Sequence, residues 1–130
     1  MVIDSSAILA IVFQEPEADQ FTEQIATARK RRMSAVNWLE TQMVVESRYG
    51  RESADKVEIV LDQLGVELVG FDRQHAWEAQ SAWRRFGKGR HRAGLNLGDC
   101  AAYATAVISG EPLLAKGDDF QHTDIARVES

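Results

Sequence analysis

Short apolar segments alternate with helix-patterned stretches along this chain, and that alternation limits the folds open to it. Met1 to Ile3 are apolar and end at Asp4, consistent with a short buried strand. RRMSAV contains a short strand ending at Ser34, VELVGF reads as a strand, PLLAKG as another, and IARV as a weaker one near the end. Short strands that alternate with helices imply an α/β fold with a mainly parallel sheet.

The helical stretches carry their own punctuation. SSAILAIVF suggests a helix starting near the serines, with Ser5 or Ser6 as its N-cap. In EPEADQFTEQIATARK, Pro16 suits a first turn and acids cluster at the start. Ser34 is placed to cap a helix from about Val36 to Tyr49, with Gly50 as its stop. ESADKVEIVLDQLG spaces Val57, Val60, Leu61 and Leu64 along one helical face and ends at Gly65. DRQHAWEAQSAWRRFG is helical, and its Gly87 opens a loop that runs through Gly94. LGDCAAYATAVISG is an alanine-rich helix ending at Gly110.

A chain of 130 residues fits a single domain spanning residues 1–130. No apolar run reaches membrane-spanning length, and no basic segment precedes a signal-like apolar one, so a soluble, unexported protein is expected. The single cysteine, Cys100, cannot form an internal disulfide, in keeping with a reducing cytoplasm. The net charge of −5 argues against a nucleic-acid partner when taken alone. The charge is uneven, however. Arg29, Lys30, Arg31 and Arg32 form one basic run, and Arg84, Arg85, Lys88, Arg90, His91 and Arg92 a second. Such runs are either phosphate-gripping patches or simply solvated surface.

The acids are more informative. In an open parallel sheet, sites lie beyond the carboxyl ends of the strands. Asp4 ends the first strand, Asp118 and Asp119 follow PLLAKG, and Asp99 opens the alanine-rich helix. At roughly 100° per residue, Glu40 shares a helix face with Val36, Met43 and Val44 and should point partly inward. Each acid also has an ordinary reading. Asp4 is placed to cap the next helix; Asn96 and Asp99 resemble a capping box; Glu40 is exposed if the helix phase differs; Asp118 and Asp119 suit a turn. The joint pattern carries the case.

Converging carboxylates repel one another unless a cation lies among them. Hard oxygen ligands with few nearby histidines or thiols suit Mg²⁺ or Mn²⁺ better than Zn²⁺. A carboxylate-held Mg²⁺ points to phosphoester chemistry, with an activated water and no nucleophilic side chain.

Four segments, VIDSSAILAI, MSAVNWLET, GKGRHRAGLNLGDCAAYA and LLAKGDDFQHTDI, span nearly the whole chain and resemble PIN-domain ribonucleases. The resemblance is specifically to the VapC-type toxins of bacterial toxin–antitoxin pairs. It implies a three-layer α/β/α sandwich, Mg²⁺- or Mn²⁺-dependent endoribonuclease activity on structured RNA such as tRNA, homodimerisation, and inhibition by a VapB-type antitoxin. By position it makes Asp4, Glu40 and Asp99 the first three acids. The fourth lies in KGDDF, with Asp118 favoured slightly over Asp119. Asp4 and Asp99 are the expected direct metal ligands; Glu40 would bind a second metal or hold a metal-bound water, and the fourth acid would orient water.

DSS stands where many relatives read DTS, so Ser6, or less readily Ser5, keeps a hydroxyl near the metal. Ser6, Arg90, Arg92 and Asn96 are the candidate substrate contacts, with His91 a less favoured general acid. Trp38, Trp77 and Trp83 are either base-stacking or packing residues, and Cys100 is a packing residue.

Other classes fit less well. A phosphorelay receiver needs paired acids near Asp4 and an acceptor aspartate on a middle strand; Lys116 would serve as its lysine, but only Asp72 is available as acceptor. A haloacid-dehalogenase-type phosphatase needs a second acid where Ser6 stands. An interaction module without catalysis would have no need for all four acids.

Overall fold

The structure, a computed structural model, describes residues 1–129. The elements in chain order are β1 (Val2–Ile3), α1 (Ser5–Val12), α2 (Ala18–Thr27), β2 (Arg32–Ser34), α3 (Ala35–Tyr49), α4 (Arg51–Gln63), β3 (Glu67–Val69), α5 (Arg73–Phe86), α6 (Leu97–Ser109) and β4 (Leu113–Leu114). The strands form one sheet in the order β3-β2-β1-β4, and every pair is parallel.

The two-residue period of a strand divides the core. Val2 and its register partner Leu113 face one way, into a cluster with Ala79, Ala82, Tyr103 and Phe120 on the α5–α6 side. Ile3 and its partner Leu114 face the other way, against Ile8, Phe21, Val45, Val57 and Leu61 from α1 to α4. Both faces of the sheet are covered, which gives the three-layer α/β/α sandwich. The alanines of α6 let it pack closely: Ala101, Ala102 and Ala104 are fully buried.

Several local expectations change. α1 is capped by Asp4 rather than by Ser5 or Ser6; Asp4 is extended and its carboxylate accepts the Ser6 amide. Pro16 lies before α2, which starts at Ala18. VELVGF narrows to an edge strand of three residues. IARV contributes only a single parallel bridge, between Arg127 and Leu113. Ser34 caps α3 as expected, and Gly110 ends α6 in the left-handed region at φ 66°. Among the described residues, no helix is long and apolar enough to cross a membrane.

Because all strands run parallel, their carboxyl ends share one edge of the sheet. Asp4 leaves β1 there, α3 leaves β2 there, and the loop with Asp118 and Asp119 leaves β4 there. α6 packs against α3, β1 and β2, which brings its first turn to the same edge.

Candidate active site

Asp4 is the most buried of the acids, at 4% exposure. Its Oδ2 accepts the Ser6 amide at 3.1 Å and the Ser6 hydroxyl at 2.6 Å. Its Oδ1 is buried without a hydrogen-bond partner. Burial pushes its pKa up to about 6; the Ser6 bonds work against this, and the charges of Glu40 and Asp119 add to it. Capping and site roles therefore coincide in one residue, which uses one oxygen for the helix and leaves the other free.

Asp99 sits in the first turn of α6. The Asn96 amide donates to Asp99 Oδ2 at 3.1 Å, and the Asp99 amide donates to Asn96 Oδ1 at 2.9 Å, a reciprocal capping box. The expected capping pair is thus present, and it orients an acid that still feels the others. Burial raises the Asp99 pKa to about 7, opposed by the Asn96 amide and reinforced by Asp4, Asp119 and Glu40.

Glu40 reaches the same place from α3. Its Oε1 accepts the Ser5 hydroxyl at 2.5 Å. The face expected for it is different, however: α3 buries Asn37, Thr41 and Val45, and Met43 is 62% exposed. Gly98 lets the carboxylate in, since a Cβ built on it would stand 2.4 Å from Glu40 Oε2.

Of the two acids after β4, Asp119 is the one whose charge bears on both Asp4 and Asp99. The Asp118 carbonyl instead closes a turn by accepting the Gln121 amide. This loop is tied down. The Lys116 amide donates to Ser6 Oγ at 2.9 Å, its ammonium pairs with Glu15 at 2.8 Å and Glu17 at 3.4 Å, and Phe120 is buried. Lys116 is therefore engaged away from the acids, unlike the lysine of a receiver domain. Ser6 uses its proton on Asp4 and its lone pair on Lys116, so it joins β4 to the first acid.

The basic loop is compact. The Arg90 guanidinium lies over the Trp83 ring, 4.1 Å from its centroid, and Arg92 is exposed. His91 Nδ1 accepts the Ala93 amide at 3.0 Å and its ring meets Phe86 edge-on, so the histidine holds the loop together. Trp77 is exposed, and Trp38 is half-buried against the core. Cys100 is buried with its thiol pushed up to about 11 by burial and by Asp99, which keeps it an inert packing residue. An apolar groove of about 430 Å³, lined in part by Val12, Phe13, Val45 and Tyr49, lies apart from the acids.

Among the described residues, no three histidine, cysteine, aspartate or glutamate side chains close into a ready-made ion cage. The donor set nonetheless suits a hard cation. It is all oxygen, it includes the orphaned Asp4 Oδ1, and its members oppose each other's ionisation. Mg²⁺ is commonly held by one or two carboxylates, with waters and phosphate completing the shell. Sequence reasoning missed Ser5 as the partner of Glu40 and Gly98 as the space for it. The sole signal for Gly98 was a glycine inside the first turn of a helix, where alanine is the better helix former.

A PIN domain model matches residues 1–126. Ribonuclease VapC30 of Mycobacterium tuberculosis is 48% identical over 128 residues, covering 98% of both chains. A Mycolicibacterium smegmatis protein named Ribonuclease VapC is also 48% identical, covering 98% of this chain and 99% of its own. The fold matches the crystal structure of M. tuberculosis VapC20, described as a sarcin-ricin-loop-cleaving toxin, at a TM-score of 0.79 and 15% identity over 99% and 98% of the two chains. It also matches VapBC2 of Rickettsia felis, solved with a DNA fragment from its promoter, at a TM-score of 0.77 and 13% identity over 98% and 96%. The chain belongs to the PIN-domain family and, within it, to the VapC ribonucleases.

Proposed function

We propose that the chain is the toxin of a VapBC-type pair, a Mg²⁺- or Mn²⁺-dependent endoribonuclease that hydrolyses phosphodiester bonds in structured RNA, with tRNA the favoured class. The observation that carries this reading is the meeting of Asp4, Glu40, Asp99 and Asp119 at one sheet edge, with Asp4 and Asp99 each held well above the usual carboxylate range. Its support from kinship is the near-full-length identity to ribonucleases of the VapC group.

In this reading Asp4 and Asp99 would hold the cation, and Glu40 and Asp119 would add negative charge to the site. When bound, the cation supplies a Lewis acid that makes water a better nucleophile and offsets charge on the departing oxygen. Ser6 and Asn96 fix the orientation of Asp4 and Asp99. Ser5 and Gly98 fix that of Glu40. Asp119 orients water. Arg90 and Arg92, both exposed on the loop that precedes α6, would hold the RNA backbone.

A VapB-type antitoxin is the proposed partner, and the protein acts in the cytoplasm. Homodimerisation is part of the same proposal; Leu39, Met43, Trp77 and Leu97, the last 78% exposed, are large apolar side chains available to an interface. The reading is tested by incubating the purified chain with total RNA and mapping the new ends. Wild type and Asp118→Asn should give discrete fragments, and Asp119→Asn should give few or none. Equal activity in Asp119→Asn would remove that residue from the site, and loss confined to Asp118→Asn would restore Asp118 as the fourth acid.

A further inference from the structure

The amide of Asn37 touches the neighbourhood of three acids at once. It is fully buried on α3, one helical turn before Glu40. Its Nδ2 donates to Ser5 Oγ at 3.0 Å and to the Gly98 carbonyl at 3.0 Å. Ser5 is the residue after Asp4, and Gly98 is the residue before Asp99. One side chain therefore sets the register of α1, α3 and α6 where each delivers its acid.

The direction of the hydrogen bonds follows from the chemistry of the partners. A backbone carbonyl only accepts, so the nitrogen of Asn37, not its oxygen, faces Gly98. That nitrogen spends its second hydrogen on Ser5 Oγ. The single proton of Ser5 is left for an acceptor, either Glu40 Oε1 at 2.5 Å or the Asn37 backbone carbonyl at 3.2 Å. The shorter, charge-assisted bond wins. The other end of the amide has no such partner: Asn37 Oδ1 is buried and unsatisfied. A buried orphan oxygen is costly. Its retention beside the acids is accounted for if the donating nitrogen is what the site needs.

We propose that Asn37 is a positioning residue, which fixes the donor direction from its amide through Ser5 into Glu40 and so holds that carboxylate beside Asp4 and Asp99. Its effect on cleavage rests on the ribonuclease reading above; the hydrogen-bond chain itself does not.

The decisive variant is Asn37→Asp, which keeps the shape and reverses the polarity. Its carboxylate would oppose the Gly98 carbonyl and draw the Ser5 proton away from Glu40. Loss of a residue that orients a metal-site carboxylate typically costs about 10- to 100-fold in activity. We expect that loss in the cleavage rate of Asn37→Asp and of Ser5→Ala, with Ser5→Thr recovering most of the rate. The double variant should be no worse than the poorer single one, because both act on the same bond.

A second readout needs neither metal nor RNA. The side-chain NH₂ signals of Asn37 in a ¹⁵N spectrum, assigned by their absence in Asn37→Asp, should shift in Ser5→Ala and in Glu40→Gln and stay in place in Glu23→Gln on α2. If Asn37→Asp does not fold, the Ser5 and Glu40 variants are assigned by Asn37→Ser and decide the matter. Additive losses in the double variant, or an amide signal unmoved by Ser5→Ala, would overturn the proposal. Shifts as expected in Ser5→Ala and Glu40→Gln, together with a wild type that cuts no RNA, would defeat the ribonuclease reading and leave the hydrogen-bond chain standing.

Discussion

Gly98 lies so close to Glu40 that a Cβ on it would overlap the carboxylate, 2.4 Å from Oε2 and 2.5 Å from Oε1. The neighbour at this contact is the end of a flexible side chain, not backbone. Gly98→Ala is therefore expected to displace Glu40 from its bond with Ser5 while costing less than the 1–3 kcal/mol, roughly, of overpacking a rigid core. Thermal unfolding should change little and RNA cleavage should fall steeply. An active Gly98→Ala variant would show that Glu40 need not stand where it does.

The two raised carboxyls give the metal-free protein a specific pH dependence. Asp4 and Asp99 start from 3.8 and reach about 6 and about 7 in the folded chain. The folded state keeps protons that the unfolded chain releases, so stability falls as pH rises from about 4 to 7 and levels off above that. From Asp4 alone the loss is on the order of 3 kcal/mol. Asp72, held low by His75, and Asp124, held low by Tyr103 and Arg85, act oppositely and only in more acid solution. Denaturant unfolding at pH 5 and pH 8 in the presence of EDTA should show the difference. Asp4→Asn should flatten it and unfold later than wild type at pH 8.

A cation that binds the folded site offsets the cost of ionising these buried, mutually repelling carboxylates. At a hundred times its dissociation constant, a ligand specific for the folded state adds about 2.7 kcal/mol. Mg²⁺ or Mn²⁺ should raise the unfolding temperature of wild type at pH 8, EDTA should reverse it, and Asp4→Asn with Asp99→Asn should respond to neither. An equal rise in the double variant would place cation binding elsewhere.

Arg90 and Arg92 are proposed to hold the RNA backbone. Each phosphate contact contributes about 0.7 to the slope of log affinity against log salt for a single strand. The double alanine variant should therefore lose affinity and give a slope flatter by about 1.4 on single-stranded RNA and somewhat more on a duplex, measured as RNA binding in Ca²⁺ or EDTA. An unchanged slope would take this loop off the substrate surface.

The parts of the fold that rest on strong local signals were legible in the sequence. Ser34, Gly50 and Gly110 punctuate their helices as read, and the Asn96–Asp99 spacing did mark a capping box. The phase of α3 was not legible. Apolar periodicity groups Glu40 with Val36, Met43 and Val44, yet the buried face near the site is polar, built on Asn37 and Thr41, and hydrophobicity cannot point to it. Asp118 and Asp119 are consecutive in a loop, where no period separates them; in the fold the charge of Asp119 bears on Asp4 and Asp99, while the Asp118 carbonyl accepts the Gln121 amide. Ser5 and Ser6 are likewise adjacent. Only the start of α1 at Ser5 decides that one hydroxyl turns to Glu40 and the other to Asp4.

The proposed activity is RNA cleavage by the acids at the sheet edge with a divalent cation. Its most direct test is the rate of RNA cleavage against Mn²⁺ concentration, run with wild type and with Asp99→Asn in parallel. The account predicts a rate that rises with Mn²⁺ and saturates in wild type, vanishes in EDTA, and stays at background in Asp99→Asn at every concentration. Cleavage by wild type that is indifferent to EDTA, or an Asp99→Asn curve that overlays the wild type, would contradict it.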